Sequence, residues 1–306
     1  MRTLTCIVLF LGCWVSSLSA ASVLLDVQGE SYPIPVKVYL PTDLAEPAPV
    51  VFFSHGLGGS REGNVYLGEH WSAVGYVVVF VQHPGSDKSV WEDAPLFKRG
   101  QALKSGASAE QFFKRINDVK RVLDHLEDTE TELGRLLEGK VNTERMAMAG
   151  HSFGAVTSQA LMGQRFENFG VLSYIEERFD CFILMSPSQS TKLSDAKAFA
   201  GVKAPALCMT GTKDTSPIRK EVTAESRQLV YANIGSKEAY QVVFDKGAHS
   251  IFGDYRKNDA RYHKAILPLT TAFLDTYLKD DAAARVWLRG EEVREVLVPK
   301  DLWQVR

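Results

Sequence analysis

Ser152 lies in Gly150-His151-Ser152-Phe153-Gly154, a serine between two glycines at G-x-S-x-G spacing, directly after the apolar run 146–149. A serine hydroxyl is a poor nucleophile unless a base takes its proton, and the base needs a third group to orient it. Two downstream stretches supply those types. Gly211-Thr212-Lys213-Asp214 follows the apolar run 206–210, and Asp245-Lys246-Gly247-Ala248-His249-Ser250 follows the run 242–244. A carboxylate or imidazole just past a strand end stands at the edge of a parallel sheet where ligands bind. Ser152 is therefore the candidate nucleophile, His249 the candidate base and Asp214 the candidate acid. The chemistry is acyl transfer, which also needs N–H donors aimed at the developing oxyanion. The N–H of Phe153, after the nucleophile, is one. The glycine-bearing loop Ser54-His55-Gly56-Leu57-Gly58-Gly59 offers another, with Leu57 preferred and Gly56 or Gly58 able to substitute.

These groups meet only if the elements carrying them alternate correctly. Apolar runs at 50–53, 77–81, 146–149, 181–185, 206–210 and 242–244 read as strands, and between them lie helical patterns at 69–73, 153–162 and 266–278. Apolar positions 112, 113, 116, 119, 122, 123 and 126 have helical spacing, with Lys114, Arg115, Asp118, Lys120 and Asp124 assigned to the polar face. Runs at 23–27 and 34–39, separated by Gly29, Ser31 and Pro33, predict an antiparallel edge hairpin. Strand and helix in alternation give an α/β class with a mostly parallel central sheet, helices on both faces and an N-terminal antiparallel hairpin. The connections 84–109 and 163–179 are expected to cover the site, and residues 282–306 to pack as an extra helix and tail.

Other residues compete for the same roles. His151 precedes the nucleophile, and its ring is expected to point away from the hydroxyl; His55 is expected to order its own loop. His70, His125 and His263 fall in helical patterns. His83 follows the strand 77–81 and is given a substrate contact at most. Asp245 and Asp254 flank His249 and stay open as alternative acids. Trp91, Phe97, Ile251 and Phe252 are large apolar residues on loops at the same edge, so they could line an acyl or alcohol pocket or pack a lid.

Composition bounds the rest. The chain of 306 residues is 45% hydrophobic and 24% charged, with a net charge of −2, ordinary for a globular protein and without a basic field for nucleic acid. Met1-Arg2, an apolar run through Val15 and the small residues to Ala21 match a signal peptide, the run being too short to span a bilayer. The domain division is then 1–21 signal peptide and 22–306 one catalytic domain, secreted or periplasmic, with plain export favoured over lipid anchoring at Cys13. Removal of the segment takes Cys6 and Cys13 with it. Cys181 and Cys208 then lie on neighbouring buried strands, where free thiols are favoured over a disulfide. The sequence has no H-E-x-x-H, paired C-x-x-C or phosphate loop, so no metal or cofactor is expected.

With these residues in hand, the chain resembles the α/β-hydrolase superfamily. Phe53-Ser54-His55-Gly56-Leu57-Gly58 and Gly150-His151-Ser152-Phe153-Gly154 look like the corresponding motifs of platelet-activating-factor acetylhydrolases, and the whole is similar to bacterial dienelactone hydrolases and polyester-hydrolase-like enzymes. In the acetylhydrolases the acid follows the strand after the elbow helix; here that strand ends Met185-Ser186-Pro187-Ser188, without a carboxylate. An acid after the next strand, as at Asp214, is the dienelactone hydrolase pattern, although those enzymes use cysteine where this chain has Ser152. The resemblance implies a serine esterase acting on a small-molecule, lipid or polymer ester. An acyltransferase on the same three residues, or a binding protein on a hydrolase scaffold, remains the alternative.

Overall fold

The computed structural model describes residues 21–306 apart from Asp93, 168–170, Pro217 and 255–258. The expected signal segment and its two cysteines, Cys6 and Cys13, lie outside the described residues. In chain order the elements are β1 (Ala21–Val27), β2 (Ile34–Leu40), β3 (Ala48–Ser54), α1 (Val65–Ala73), β4 (Val77–Val81), α2 (Ser89–Glu92), α3 (Arg99–Gly106), α4 (Ala109–Glu127), α5 (Glu132–Leu137) and β5 (Val141–His151). There follow α6 (Phe153–Leu161), β6 (Arg165–Glu167), β7 (Val171–Ser173), β8 (Cys181–Met185), α7 (Asp195–Phe199), β9 (Ala206–Lys213), α8 (Leu229–Asn233), β10 (Ala239–Ala248), α9 (Ala260–Leu278), α10 (Ala282–Arg289) and β11 (Leu302–Val305).

Among the described residues nine strands form one sheet in the order β1-β2-β4-β3-β5-β8-β9-β10-β11. From β4 to β10 every neighbouring pair is parallel, whereas β1/β2, β2/β4 and β10/β11 are antiparallel. This is the α/β-hydrolase fold, with the expected N-terminal hairpin at one edge. The strands are apolar on both faces because both are covered. Val50, Phe52, Val77 and Val79 face a core with α4, α5 and α7, while Val51, Phe53, Val78 and Phe80 face a second core with α1 and α9. The period of two along each strand divides the side chains between the layers.

The same alternation settles the cysteines. Ile183 pairs with Leu207 and Leu184 with Cys208 across β8 and β9, and Cys181 lies in the core layer opposite Cys208. Both are buried free thiols, facing opposite sides of the sheet.

Two expectations need correction. The C-terminal tail is no mere surface extension: β11 pairs with β10 in antiparallel register, Val242 opposite Trp303, and extends the sheet. A strand of four residues among charges carries little pattern to read. On α4, Arg115 and Asp118 are 0% and 1% exposed, not on the polar face. Their positions follow the inward stripe, Arg115 being three residues after Phe112 and four before Val119. Spacing overrode polarity because partners for both charges wait inside.

The sheet order also creates the site. The chain leaves β3 for β4 on one side and returns to β5 on the other, so the C-terminal ends of β3 and β5 open a crevice where the connections part.

Candidate active site

Ser152 is the single residue between β5 and α6. Its backbone is held at φ 56°, ψ −113°, a conformation outside the favoured regions that costs on the order of 1–3 kcal/mol and persists only where neighbours enforce it. The enforcement is visible. Ser152 N–H donates to the Met185 carbonyl at 2.9 Å, and α6 starts hard against the end of β3, so that a Cβ on Gly154 would stand 1.8 Å from the Ser54 carbonyl oxygen. A Cβ on Gly150 would meet the Gly154 carbonyl carbon at 2.4 Å. Only glycine at these two positions permits so tight a turn.

The hydroxyl thrust out by this turn has a partner. Ser152 Oγ lies 2.9 Å from His249 Nε2, and the ring's other nitrogen, Nδ1, lies 2.7 Å from Asp214 Oδ1. An ionised Asp214 requires a proton on Nδ1, which leaves Nε2 free to accept the serine proton. His249 is delivered by β10 through an irregularity in the ladder between Phe244 and Ala248, and Asp214 follows β9 directly. The three sequence-predicted residues, 62 and 35 positions apart in the chain, are thus brought into one line.

Asp214 is 0% exposed, and burial opposes its ionisation. The hydrogen bond from His249, the charge of Arg227 and the hydroxyl of Ser186 outweigh that cost and hold the carboxyl below its ordinary range. Ser186 Oγ donates to Oδ2 at 2.6 Å and Thr210 Oγ1 to the same oxygen at 2.8 Å. Ser186 stands where the acetylhydrolase pattern would put the acid; in this chain it supports the acid from the next strand. Asp254 is occupied elsewhere, its Oδ2 accepting from the Val65 N–H at 3.0 Å to cap α1. Asp245 is tied through its backbone, donating to Asp301 Oδ1 at 2.7 Å.

The loop after β3 shows why Leu57 suits the oxyanion role better than Gly58. Gly58 N–H donates to the Ser86 carbonyl at 2.9 Å and Gly59 N–H to the Gly56 carbonyl at 3.0 Å. His83 N–H donates to His55 Nε2 at 3.1 Å, which puts the ring proton on Nδ1, and Nδ1 donates to the Gly56 carbonyl at 2.6 Å. That carbonyl belongs to the amide whose N–H is Leu57's, so two donors polarise that N–H. Phe153 opens α6, where first-turn N–H groups have no partner in the helix.

The remaining histidines have defined places. His151 is held to the His249 carbonyl through Nε2 at 3.2 Å, and burial, then the neighbouring His249, push its pKa down to about 3. It steadies the base loop from below. His83 is 0% exposed, bonded to Ser54 and Asp118, which corrects the substrate contact assigned to it.

A cavity of about 670 Å³ opens over Ser152 and His249, with Leu57, Leu103, Phe153, Val156, Ile218 and Val222 as its apolar walls. None of the four residues named from sequence for that role is among them, Phe97 being 85% exposed. Trp91 sits behind the loop, its Nε1 donating to the Gly58 carbonyl at 2.8 Å, while Ile251 and Phe252 are 2% and 0% exposed within the core. Large apolar residues beside a catalytic loop are drawn into the core by the same burial that would suit a pocket. Arg227 was missed altogether: a polar stretch gave no sign that its guanidinium turns inward. Among the described residues no group of three or more His, Cys, Asp or Glu is placed to hold a metal, and no helix is long and apolar enough to cross a membrane.

The family model for platelet-activating factor acetylhydrolase, isoform II, matches residues 15–106, a stretch that includes the loop 54–59 and ends before Ser152. The platelet-activating factor acetylhydrolase of Cavia porcellus is 24% identical over 192 residues, covering 54% of this chain. The chain spans 40% of the length of that relative. The resemblance to acetylhydrolases is thereby borne out.

Proposed function

We propose that the chain is a serine hydrolase that cleaves carboxylic esters through an acyl-enzyme. Ser152 Oγ attacks the ester carbonyl as its proton passes to His249 Nε2, and Asp214 stabilises the imidazolium that forms. The N–H groups of Leu57 and Phe153 receive the oxyanion. Collapse expels the alcohol, which takes the proton from His249. A water then repeats the sequence on the acyl-enzyme and frees the acid. The single observation behind this reading is the Ser152–His249–Asp214 line, 2.9 and 2.7 Å, on a strained turn at the floor of an open cavity. The acetylhydrolase resemblance supports the ester class.

The test is hydrolysis of short-chain p-nitrophenyl esters together with labelling by a fluorophosphonate. Turnover with the label on Ser152 is expected; no turnover and no label would remove the reading. The proposal includes export with cleavage near Ser22, which the N-terminal residue of protein recovered outside the cell would decide.

A further inference from the structure

Helix α4 carries a guanidinium into the interior behind both segments assigned to the oxyanion. Arg115 is 0% exposed. Its Nε donates to Thr157 Oγ1 of α6 at 3.1 Å, one terminal nitrogen to Ser86 Oγ at 2.9 Å, and the other to Ser54 Oγ at 2.9 Å and to the carbonyl of His55. The guanidinium carbon also lies 4.6 Å from the centroid of the Phe153 ring. One side chain therefore holds the root of the loop bearing Leu57 and the helix bearing Phe153.

A buried cation needs an anion, and this one is reached through a relay. Arginine only donates, so Ser54 Oγ accepts from Arg115 and gives its own proton to His83 Nε2, 2.8 Å away. His83 then carries its proton on Nδ1 and donates it to Asp118 Oδ2 at 2.9 Å, while Tyr32 OH donates to Oδ1 at 2.7 Å. Every proton runs from cation to anion. Ser54, His83 and Asp118 have the residue types of a catalytic trio, yet each is at most 1% exposed and the serine is already gripped by Arg115. They form a counterion chain and not a second centre.

We propose that Arg115 is a positioning residue of the oxyanion site: it sets the separation of the Leu57 and Phe153 N–H groups, with Ser54, His83 and Asp118 supplying its buried counterion. This rests on the acyl-enzyme reading of Ser152. The two donors come from segments that follow different strands, β3 and β5. They serve one oxygen only if both stand about 2.7–3.1 Å from it. Arg115 bonds both segments at once, and its rigid fork of donors fixes direction as well as distance.

Arg115→Lys tests this while keeping the charge that Asp118 requires. Active sites are counted by end-point fluorophosphonate labelling, and kcat, KM and the Kd of an aryl boronic acid, which forms a tetrahedral adduct on Ser152, are measured per labelled site. The expected result is a fall in kcat of about 10²-fold, as misplacement by an ångström can cause, with KM within about threefold and boronate affinity weakened in parallel. A variant with a lowered melting temperature but kcat and boronate affinity within about twofold of wild type would make Arg115 merely structural and overturn the proposal, by the same scale. So would a rise in KM with kcat retained. Should Arg115→Lys not fold, Thr157→Val, which removes the hydrogen bond from Arg115 to α6 together with that from Thr157 Oγ1 to the Phe153 carbonyl, is judged by the same split. A wild-type protein that neither turns over an ester nor takes the label at Ser152 overturns the esterase reading itself, and this proposal with it.

Discussion

Arg227 Nε stands 2.8 Å from Asp214 Oδ1, with both side chains buried at 2% and 0% exposure. Arg227 also borders the cavity, and its guanidinium donates to the Ser186 carbonyl at 2.8 Å and the Pro187 carbonyl at 3.0 Å. Removing one partner of such a pair leaves an uncompensated charge and costs about 3–5 kcal/mol. Arg227→Met should therefore lower stability by that order in urea titrations and reduce kcat/KM, because Asp214 loses the contact that fixes its oxygens. Arg227→Lys should recover part of the stability and little of the activity, since an ammonium cannot span carboxylate and carbonyls together. Wild-type turnover in Arg227→Met would show that Ser186 and Thr210 alone hold the acid.

The acid assignment has its own contrast. Asp214→Asn should lower turnover on the order of 10⁴-fold by favouring the wrong imidazole tautomer. Asp254→Ala should cost only about 1 kcal/mol, the loss of a helix cap, and leave kcat near wild type. If Asp254→Ala proves the crippling change and Asp214→Asn is nearly silent in steady-state assays, the acid lies on the histidine loop.

The parts legible in the sequence are those whose signal is local. Ser152 between glycines, the glycine loop around Leu57, and the apolar runs ending at Asp214 and before His249 each announce themselves within a few residues, because a tight turn or a buried strand constrains its own composition. Arg115, Asp118 and Arg227 do not. Their partners lie up to 86 positions away, as between Asp118 and Tyr32. A buried charge has the same letter as a solvated one until the fold closes around it. The reverse failure affected Trp91, Ile251 and Phe252, whose apolarity was right for burial but does not say whether a ligand or the core does the burying.

The elbow gives a steric prediction. Gly154→Ala places a methyl 1.8 Å from the Ser54 carbonyl oxygen, a backbone atom that cannot swing aside. Either α6 lifts from β3 or the loop bearing Leu57 is displaced. Overpacking of this kind costs about 1–3 kcal/mol or more, and here it also separates the two oxyanion donors. Melting temperature and kcat should both fall. A variant as stable and active as wild type would mean that the helix does not start against β3.

Acid should destabilise the fold at a pH above the ordinary carboxylate range. His55 and His83 are buried, His151 is half-buried at the cavity floor, and all three are held neutral: burial, then the charge of Arg115, keeps the first two well below their ordinary range, and desolvation, then His249, takes His151 down to about 3. Unfolded imidazoles take up protons below a pH of about 6.5, so in that window the unfolded state binds more protons and stability falls as pH falls. Asp118 works in the opposite sense, because burial, against the hydrogen bond from Tyr32, raises its pKa to about 6, and the folded state gains its proton first. Each group changes stability by about 1.4 kcal/mol per pH unit where only one state is protonated. Three imidazoles against one carboxyl leave a net uptake of about two protons on unfolding near pH 5.5, and a loss of at most about 4 kcal/mol between pH 7 and pH 5. Urea midpoints across that range, with proton uptake followed by pH-stat, measure both. Stability that stays level or rises from pH 7 to pH 5 would mean that these rings are protonated in the folded protein, and the hydrogen-bond directions assigned to His55 and His83 would be wrong.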